Sequence, residues 1–323
     1  MKIVRDKTGE YGDCAYEYLD FEKFDNDSEE EVLFYGYATP YNNEIKNKYK
    51  NFKRKVYYQG EQPCGFYGPP QEVKKSIEVA DYFDEVYSTC PYSAEWMNKI
   101  NNYDKYRPII FPHNISWSAP ENENLDKILD VIYWGNVPTP SNRDQTTVLN
   151  IIQTIPKFKH AFFTLGLGIP QDLVKYVTGV NAPRPAMWQY LRASKIMVTS
   201  NLLYFTDNEV EILKQLPDWR ENEAFCRLDQ KIAPQIKTRP IEAIFNKTLV
   251  LLKEDPWHIF DYWFEAEKEF VYYKNDEDLE DKIREILNNW DHYRLVAESA
   301  YQKAIKLYTT ERIFKDIVEK RLR

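Results

Sequence analysis

Glycine is scarce in this sequence, ten in 323 residues, and none of the glycine-built phosphate loops can be assembled from those ten. There is no Walker-type loop, no dinucleotide fingerprint and no nucleophile elbow, which removes P-loop hydrolysis, Rossmann-type redox chemistry and serine-hydrolase chemistry from the first rank of readings. Cysteine is equally sparse. Cys14, Cys64, Cys90 and Cys226 form no CxxC pair and no tight spacing, so reduced thiols in a cytosolic protein are expected rather than a disulfide framework. His113, His160, His258 and His292 show no metal-ligand spacing. The start, Met1-Lys2-Ile3-Val4-Arg5-Asp6, has no apolar signal core, and no apolar run is long enough to span a bilayer. Excess positive charge is also missing. The formal net charge is -8, which disfavours a dedicated nucleic-acid binder.

What is present is a chain long enough for two cores. It is 43% hydrophobic and 29% charged, the balance of a globular soluble protein. Aromatics reach 15%, with 25 tyrosines. Tyrosine faces suit sugar stacking, but half-buried packing is their commoner use. The richness in Asn, Lys, Ile and Tyr points to an AT-rich genome, of a microbe or of a virus acting in its host's cytoplasm. Asp25-Asn26-Asp27 and Asp276-Glu277-Asp278 are literal DxD runs. The first follows no strand and the second reads as a helix start, so no metal site is expected.

Strands are predicted over 32–37, 56–58, 85–89 and 108–112, with helices near 77–82 and 92–100. A polar stretch at 114–128 with Pro120 reads as a linker. The pattern then restarts: strands at 130–135, 160–165 and 195–199, and helices at 146–155 and 187–193. A polar excursion fills 206–236. Two long helical segments, 290–308 and 310–322, close the chain. Alternating β and α elements imply parallel sheets. The expected division is an N-terminal domain over 1–118 and a C-terminal domain over 119–323, whose terminal helices could pack back on the first.

The run Lys237-Thr238-Arg239-Pro240-Ile241-Glu242-Ala243 is the most informative. Pro240 suits a first helical turn, Glu242 is favoured there by the helix dipole, and the apolar strand Thr248-Leu249-Val250-Leu251-Leu252 follows. With Glu267-Lys268-Glu269-Phe270-Val271-Tyr272-Tyr273 before Asp276-Glu277-Asp278-Leu279, and with Tyr308-Thr309-Thr310-Glu311-Arg312, this half resembles the nucleotide-sugar-binding half of a GT-B glycosyltransferase. The nearest type is glycosyl transferases group 1, in its spore-maturation-protein-like branch. The resemblance covers roughly the C-terminal 60% of the chain. It implies an α/β protein of two Rossmann-like domains facing a central cleft, with C-terminal helices.

The resemblance also implies roles. Glu242 matches the carboxylate that meets the donor's ribose, Arg239 a basic position near the donor phosphates, and Glu269 an acidic position near the donor. Arg143, after the strand ending at Gly135, is a further phosphate candidate. Gly135 and Gly168 end strands and could admit a ligand to the backbone. The catalytic base is expected from the N-terminal half, with Glu61 or His113 as candidates. The basic run Lys46, Lys48, Lys50, Lys53, Arg54 and Lys55, interleaved with Tyr49 and Phe52, reads as a solvated loop. If it is functional, Lys53 and Arg54 would hold an anionic acceptor.

The function expected is metal-independent transfer of a hexose-like sugar from a UDP- or GDP-sugar to a hydroxyl of a glycan or polymer. No cofactor and no transmembrane segment are expected, and the location expected is cytoplasmic. A DNA-modifying glycosyltransferase of the same fold is one alternative, disfavoured by charge. A catalytically silent binding or structural protein is the other. Pro234, where an E-x7-E pair would need a carboxylate, supports that second alternative.

Overall fold

A computed structural model describes residues 1–5, 19–36, 42–60, 81–102, 104–120, 126–137, 146–166, 168–214, 227 and 229–320. The chain forms two compact units. The first comprises Met1–Asn114, Asp207–Ile236 and Tyr308–Arg323, the second Ile115–Thr206 and Lys237–Leu307. The first break along the chain falls at 114/115, where 118/119 was expected, and the polar excursion and the last helix group with the first unit, an arrangement of distant segments that periodicity along the chain does not reveal.

The elements up to residue 117 are β1 (Lys2–Arg5), β2 (Glu31–Tyr35), α1 (Asn43–Lys48), β3 (Arg54–Gln59), β4 (Glu85–Ser88), α2 (Pro91–Asn101) and β5 (Tyr106–Pro108). Next come β6 (Leu129–Trp134), α3 (Thr146–Thr154), β7 (His160–Thr164), β8 (Gly179–Val180), α4 (Arg184–Ala193) and β9 (Ser194–Ser200). The remainder are β10 (Leu202–Tyr204), α5 (Asp207–Leu213), β11 (Ile232–Pro234), α6 (Thr238–Phe245), β12 (Leu249–Lys253), β13 (Val271–Tyr273), α7 (Asp278–Asn288), α8 (Trp290–Leu307) and α9 (Thr310–Val318).

The first unit carries a five-stranded parallel sheet in the order β1-β2-β3-β4-β5. Its side chains alternate in the usual period of two. Tyr35 and Tyr58 meet Phe21, which also contacts Phe314 of α9. Phe34 and Tyr57 meet Phe83 instead. Two sequence expectations change here. β5 runs over Tyr106–Pro108, not 108–112: Ile109, Ile110 and Phe111 are buried, so their apolar signal reports packing, while Pro112 has no N–H to give a ladder. The basic run begins with α1, capped by Asn42, whose side chain accepts from the Ile45 N–H.

The second unit carries a six-stranded sheet, parallel throughout, in the order β13-β12-β9-β6-β7-β8. Counted within the unit, that is the doubly wound order 3-2-1-4-5-6, and the winding reverses between β6 and β9. Right-handed crossovers then put α3 on one face and α4 and α6 on the other. The central strands are apolar on both sides, as burial between two helical layers demands. Leu249, Val250, Leu251 and Leu252 are all fully buried. In α7 the stripe Leu279, Ile283 and Ile286 joins Val131, Ile196, Leu251 and Val271 in one core. Each such side chain contributes about 1.5–3 kcal/mol by leaving water.

Candidate functional site

In a doubly wound sheet the crevice lies outside the carboxyl ends of the strands, at the point where the strand order reverses. Here that point is flanked by Trp134, which ends β6, and Gly135 after it, and by Ser200, which ends β9, and Asn201 after it. The first turn of α6 brings Arg239 to the same place. A Cβ built on Gly135 would lie 2.6 Å from Nη1 of Arg239 and 2.6 Å from the Tyr133 hydroxyl. Gly135 is thus a glycine of close approach, and the group approaching it is a guanidinium. The Tyr133 phenol is pushed up by burial, and the Arg239 charge works against that shift.

One turn along α6, Glu242 is 1% exposed. Its Oε1 accepts a hydrogen bond from Nη1 of Arg184, the first residue of α4. Its Oε2 is buried with no hydrogen-bond partner. An unmade hydrogen bond on a buried polar group costs about 1–3 kcal/mol, so this oxygen is either a defect or a waiting acceptor. Burial raises the Glu242 pKa, and the charges of Arg184 and then Arg239 oppose the rise. The Arg184 guanidinium also lies over the Trp134 ring, 5.5 Å from its centroid, in cation–π range.

The N-cap residue Lys237 makes no side-chain capping bond to α6, so first-turn N–H groups lack that partner. Asn201 is fully buried, and its Oδ1 accepts from the Lys237 N–H at 3.3 Å while its Nδ2 has no hydrogen-bond partner. The Lys237 Nζ donates to Ser200 Oγ at 3.4 Å. At the end of β12, Lys253 donates to Thr147 Oγ1 of α3 at 2.8 Å and to Asp276 at 3.0 Å. Four cationic side chains, Arg184, Lys237, Arg239 and Lys253, therefore gather at the carboxyl edge of one sheet. In a protein of net charge -8 that concentration suits an anion.

Of the residues singled out in the sequence, Gly135, Arg239 and Glu242 come together at this point. Glu269 does not. It precedes β13 and so stands at the amino edge of the sheet, the edge away from the crevice. There its carboxylate accepts from the Glu265 N–H at 2.7 Å and from Lys303 at 2.8 Å. Gly168 lies in the loop after β7 with φ of 60°, a left-handed conformation that explains the glycine without a ligand. Glu61 and Arg143 lie outside the described residues.

The first unit holds the remaining candidates. Arg54 is 5% exposed and bound to Glu85 through Nε at 2.7 Å and Nη2 at 2.9 Å. Its Nη2 also donates to the Ile317 carbonyl at the end of α9, at 2.7 Å. It is a structural clamp and is not open to an acceptor. Lys53 is exposed and pairs with Glu30. Tyr49, one of the aromatics interleaved in the basic run, packs edge-on against Phe34. His113 is 1% exposed, and its backbone is tied to Tyr308 and Thr310.

Sequence reasoning missed Arg184, Trp134, Asn201 and Lys237. Arg184 had a local signal, an arginine between two prolines at a helix start. The others became visible only once β6 and β9 were adjacent. Among the described residues no group of three or more His, Cys, Asp or Glu is placed to hold a metal ion, and no helix is long and apolar enough to cross a membrane.

Residues 168–319, just under half of the chain, match the Glycosyl transferase-like family. No curated protein matches the sequence. Among solved structures, Anabaena HepE in complex with UDP and glucose aligns over 99% of this chain and 99% of its own, with a TM-score of 0.65 and 12% identity. S. aureus TarM, solved with UDP, Fondaparinux and alpha-GlcNAc-glycerol, aligns over 93% of this chain with a TM-score of 0.60 and 15% identity. The alignment spans 57% of TarM's length. Sucrose-phosphate synthase from Thermosynechococcus elongatus gives a TM-score of 0.60 at 13% identity, over 90% of this chain and 73% of its own. At such identities the likeness is one of fold. The chain has the GT-B fold of these structures, and its segment 168–319 matches the glycosyl transferase-like family model.

Proposed function

We propose that this protein transfers a sugar from a nucleotide-sugar donor to a hydroxyl acceptor, and that the donor nucleotide binds at the switch point of the second unit. The observation that carries the reading is the buried, unpartnered Oε2 of Glu242 beside a cluster of cations. A ribose diol offers O–H donors to such an oxygen. A diphosphate offers negative charge to Arg239, to Lys237 and to the start of α6, where helix geometry favours anions. As the sugar leaves, charge grows on the diphosphate, and fixed donors at that spot stabilise the transition state more than the ground state. Protein cations placed this way support a metal-independent reaction. UDP is the first nucleotide to try, since the HepE and TarM structures contain it. A glycan or other polymer hydroxyl is the proposed acceptor.

The test is thermal stability of the wild type and of Glu242→Gln with UDP, GDP, ADP and CMP. A ligand at 100 times its dissociation constant adds about 2.7 kcal/mol to the native state. A shift with one nucleotide in the wild type, lost in the variant, is expected. No shift with any nucleotide, together with no hydrolysis of the corresponding nucleotide-sugars, would leave a silent scaffold of the same fold.

A further inference from the structure

The geometry points to Arg184 as a positioning residue for ribose recognition: by engaging Oε1 of Glu242 it leaves Oε2 as the oxygen presented to the two ribose hydroxyls. This rests on the donor reading above and goes one residue further.

A buried arginine–carboxylate pair serving stability alone tends toward the bidentate form, in which both oxygens are bonded. Here Arg184 bonds one oxygen, and the other is left without a partner in a side chain that is 2% exposed. The guanidinium is itself held. It starts α4 between Pro183 and Pro185, which restrict the backbone there, and it lies over the Trp134 ring. Trp134 ends β6, so the orientation of the Glu242 carboxylate is referred to the same strand end that carries Gly135. Chemistry sets the required charge state. A carboxylate accepts from both hydroxyls of a cis-diol, whereas a protonated carboxyl has one O–H of its own to place. Burial pushes Glu242 toward the protonated form, and Arg184 is the larger of the two charges opposing it. Arg184 thus fixes the direction of the acceptor and opposes the burial that raises its pKa. The groups facing Glu242 are Arg184 from α4 and Arg239 from its own helix.

The experiment measures UDP dissociation constants between about pH 6 and 9 for the wild type, Arg184→Met, Arg184→Lys and Glu242→Gln, with 2′-deoxy-UDP as the second probe. Wild-type affinity should favour UDP over 2′-deoxy-UDP by a ratio that is flat with pH, a ratio from which the titration of the diphosphate itself cancels. In Arg184→Met that preference should fall by about tenfold or more at the acid end of the range and should recover as the pH rises. Arg184→Lys should restore most of the loss and the flat profile. Glu242→Gln should be weak at every pH and blind to the 2′-hydroxyl. Failure of the wild type to bind any nucleotide sinks the donor reading itself. UDP binding that needs Glu242, but keeps its preference and flat profile in Arg184→Met, overturns the role of Arg184 alone. A measurement independent of any Arg184 variant is the infrared carbonyl band of a protonated carboxyl, assigned with Glu242→Gln. It should be absent from the wild type near pH 7, and its presence there overturns the inference.

Discussion

The guanidinium of Arg239 occupies the place where a side chain at Gly135 would begin, with Nη1 2.6 Å from the Cβ that Gly135 lacks. The groups in the way are the ends of two side chains, Arg239 and Tyr133, and not backbone. Arg239 can swing aside, whereas Tyr133 is buried. Gly135→Ala should therefore fold, with a stability loss of about 1–3 kcal/mol from overpacking. Its larger effect should be on donor binding, because the displaced group is the one proposed to meet the diphosphate. Donor KM should rise at least about tenfold, with the loss of one charge-assisted contact. Unchanged KM in a well-folded Gly135→Ala would remove Arg239 from the donor site.

A stability prediction concerns Arg54 and Glu85 in the first unit. For Arg54, burial acts to lower the pKa, but the Glu85 hydrogen bond and charge raise it overall. For Glu85, burial acts upward, and the hydrogen bonds from Arg54 and Tyr87 hold it below the ordinary 4.5. Breaking such a buried pair from one side costs about 3–5 kcal/mol. Arg54→Met should lower the denaturation midpoint strongly, and truncation before α9 should remove part of the same clamp. Because the folded-state pKa of Glu85 is depressed, its contribution is present above the unfolded value and fades as the pH falls through it. Wild-type stability should thus drop below about pH 4.5 by more than that of Arg54→Met, as denaturant titrations across pH would show. Equal acid sensitivity in the two proteins would mean that the pair contributes nothing.

Asp255, in the loop after β12, should produce the opposite slope. It is 1% exposed, and its Oδ1 accepts from the N–H groups of Trp257 and Ile259. Burial outweighs those two bonds and raises its pKa from 3.8 to about 6. A carboxyl that is harder to ionise when folded stabilises the native state below its unfolded pKa, and loses that contribution as the pH rises through the folded one. The second unit should therefore lose stability between about pH 4 and 6. Asp255→Asn keeps an acceptor for the loop and should abolish that decline. A decline of the same size in the variant would assign it to other groups.

How much of this could be read from the chain follows from where the information lies. Arg239, Glu242 and the strand Leu249–Lys253 are local in sequence, and the helix start, the dipole and the apolar run place them together without a structure. Gly135 was legible as a strand end, but the reason for the glycine was not, since it depends on an arginine about a hundred positions later. Glu269 shows the reverse. Its neighbours resemble a donor loop, yet the strand that follows it, β13, runs parallel to all the others, so a residue before it falls on the amino edge. Arg54 was exposed by composition and buried by topology, because the helix it clamps, α9, is more than two hundred and fifty residues away. Three cations of the basic run, read as a solvated loop, have partners that the sequence does not show: Glu30, Asp84 and Glu85, at or just before the starts of β2 and β4.

Asn201 offers a prediction in which stability and function separate. Its Oδ1 accepts from the backbone N–H of Lys237 at the start of α6, and its Nδ2, fully buried and without a hydrogen-bond partner, is left as a donor at the switch point. Asn201→Asp keeps the acceptor and replaces the donor with a second oxygen and a negative charge. Burial penalises the carboxylate, while the helix start and the Lys237 ammonium favour it by roughly 0.3–1 kcal/mol each. The opposing effects should leave thermal stability within about 1–2 kcal/mol of the wild type. For a diphosphate the substitution has no compensation, since a hydrogen-bond donor is lost and a like charge stands at the anion's place. Affinity for UDP should fall by well over about tenfold, and more steeply at low ionic strength, where the repulsion is least screened. Thermal melts with and without UDP, at two salt concentrations, measure both quantities on one sample. A variant that binds UDP as the wild type does would show that the anion lies elsewhere than at the start of α6.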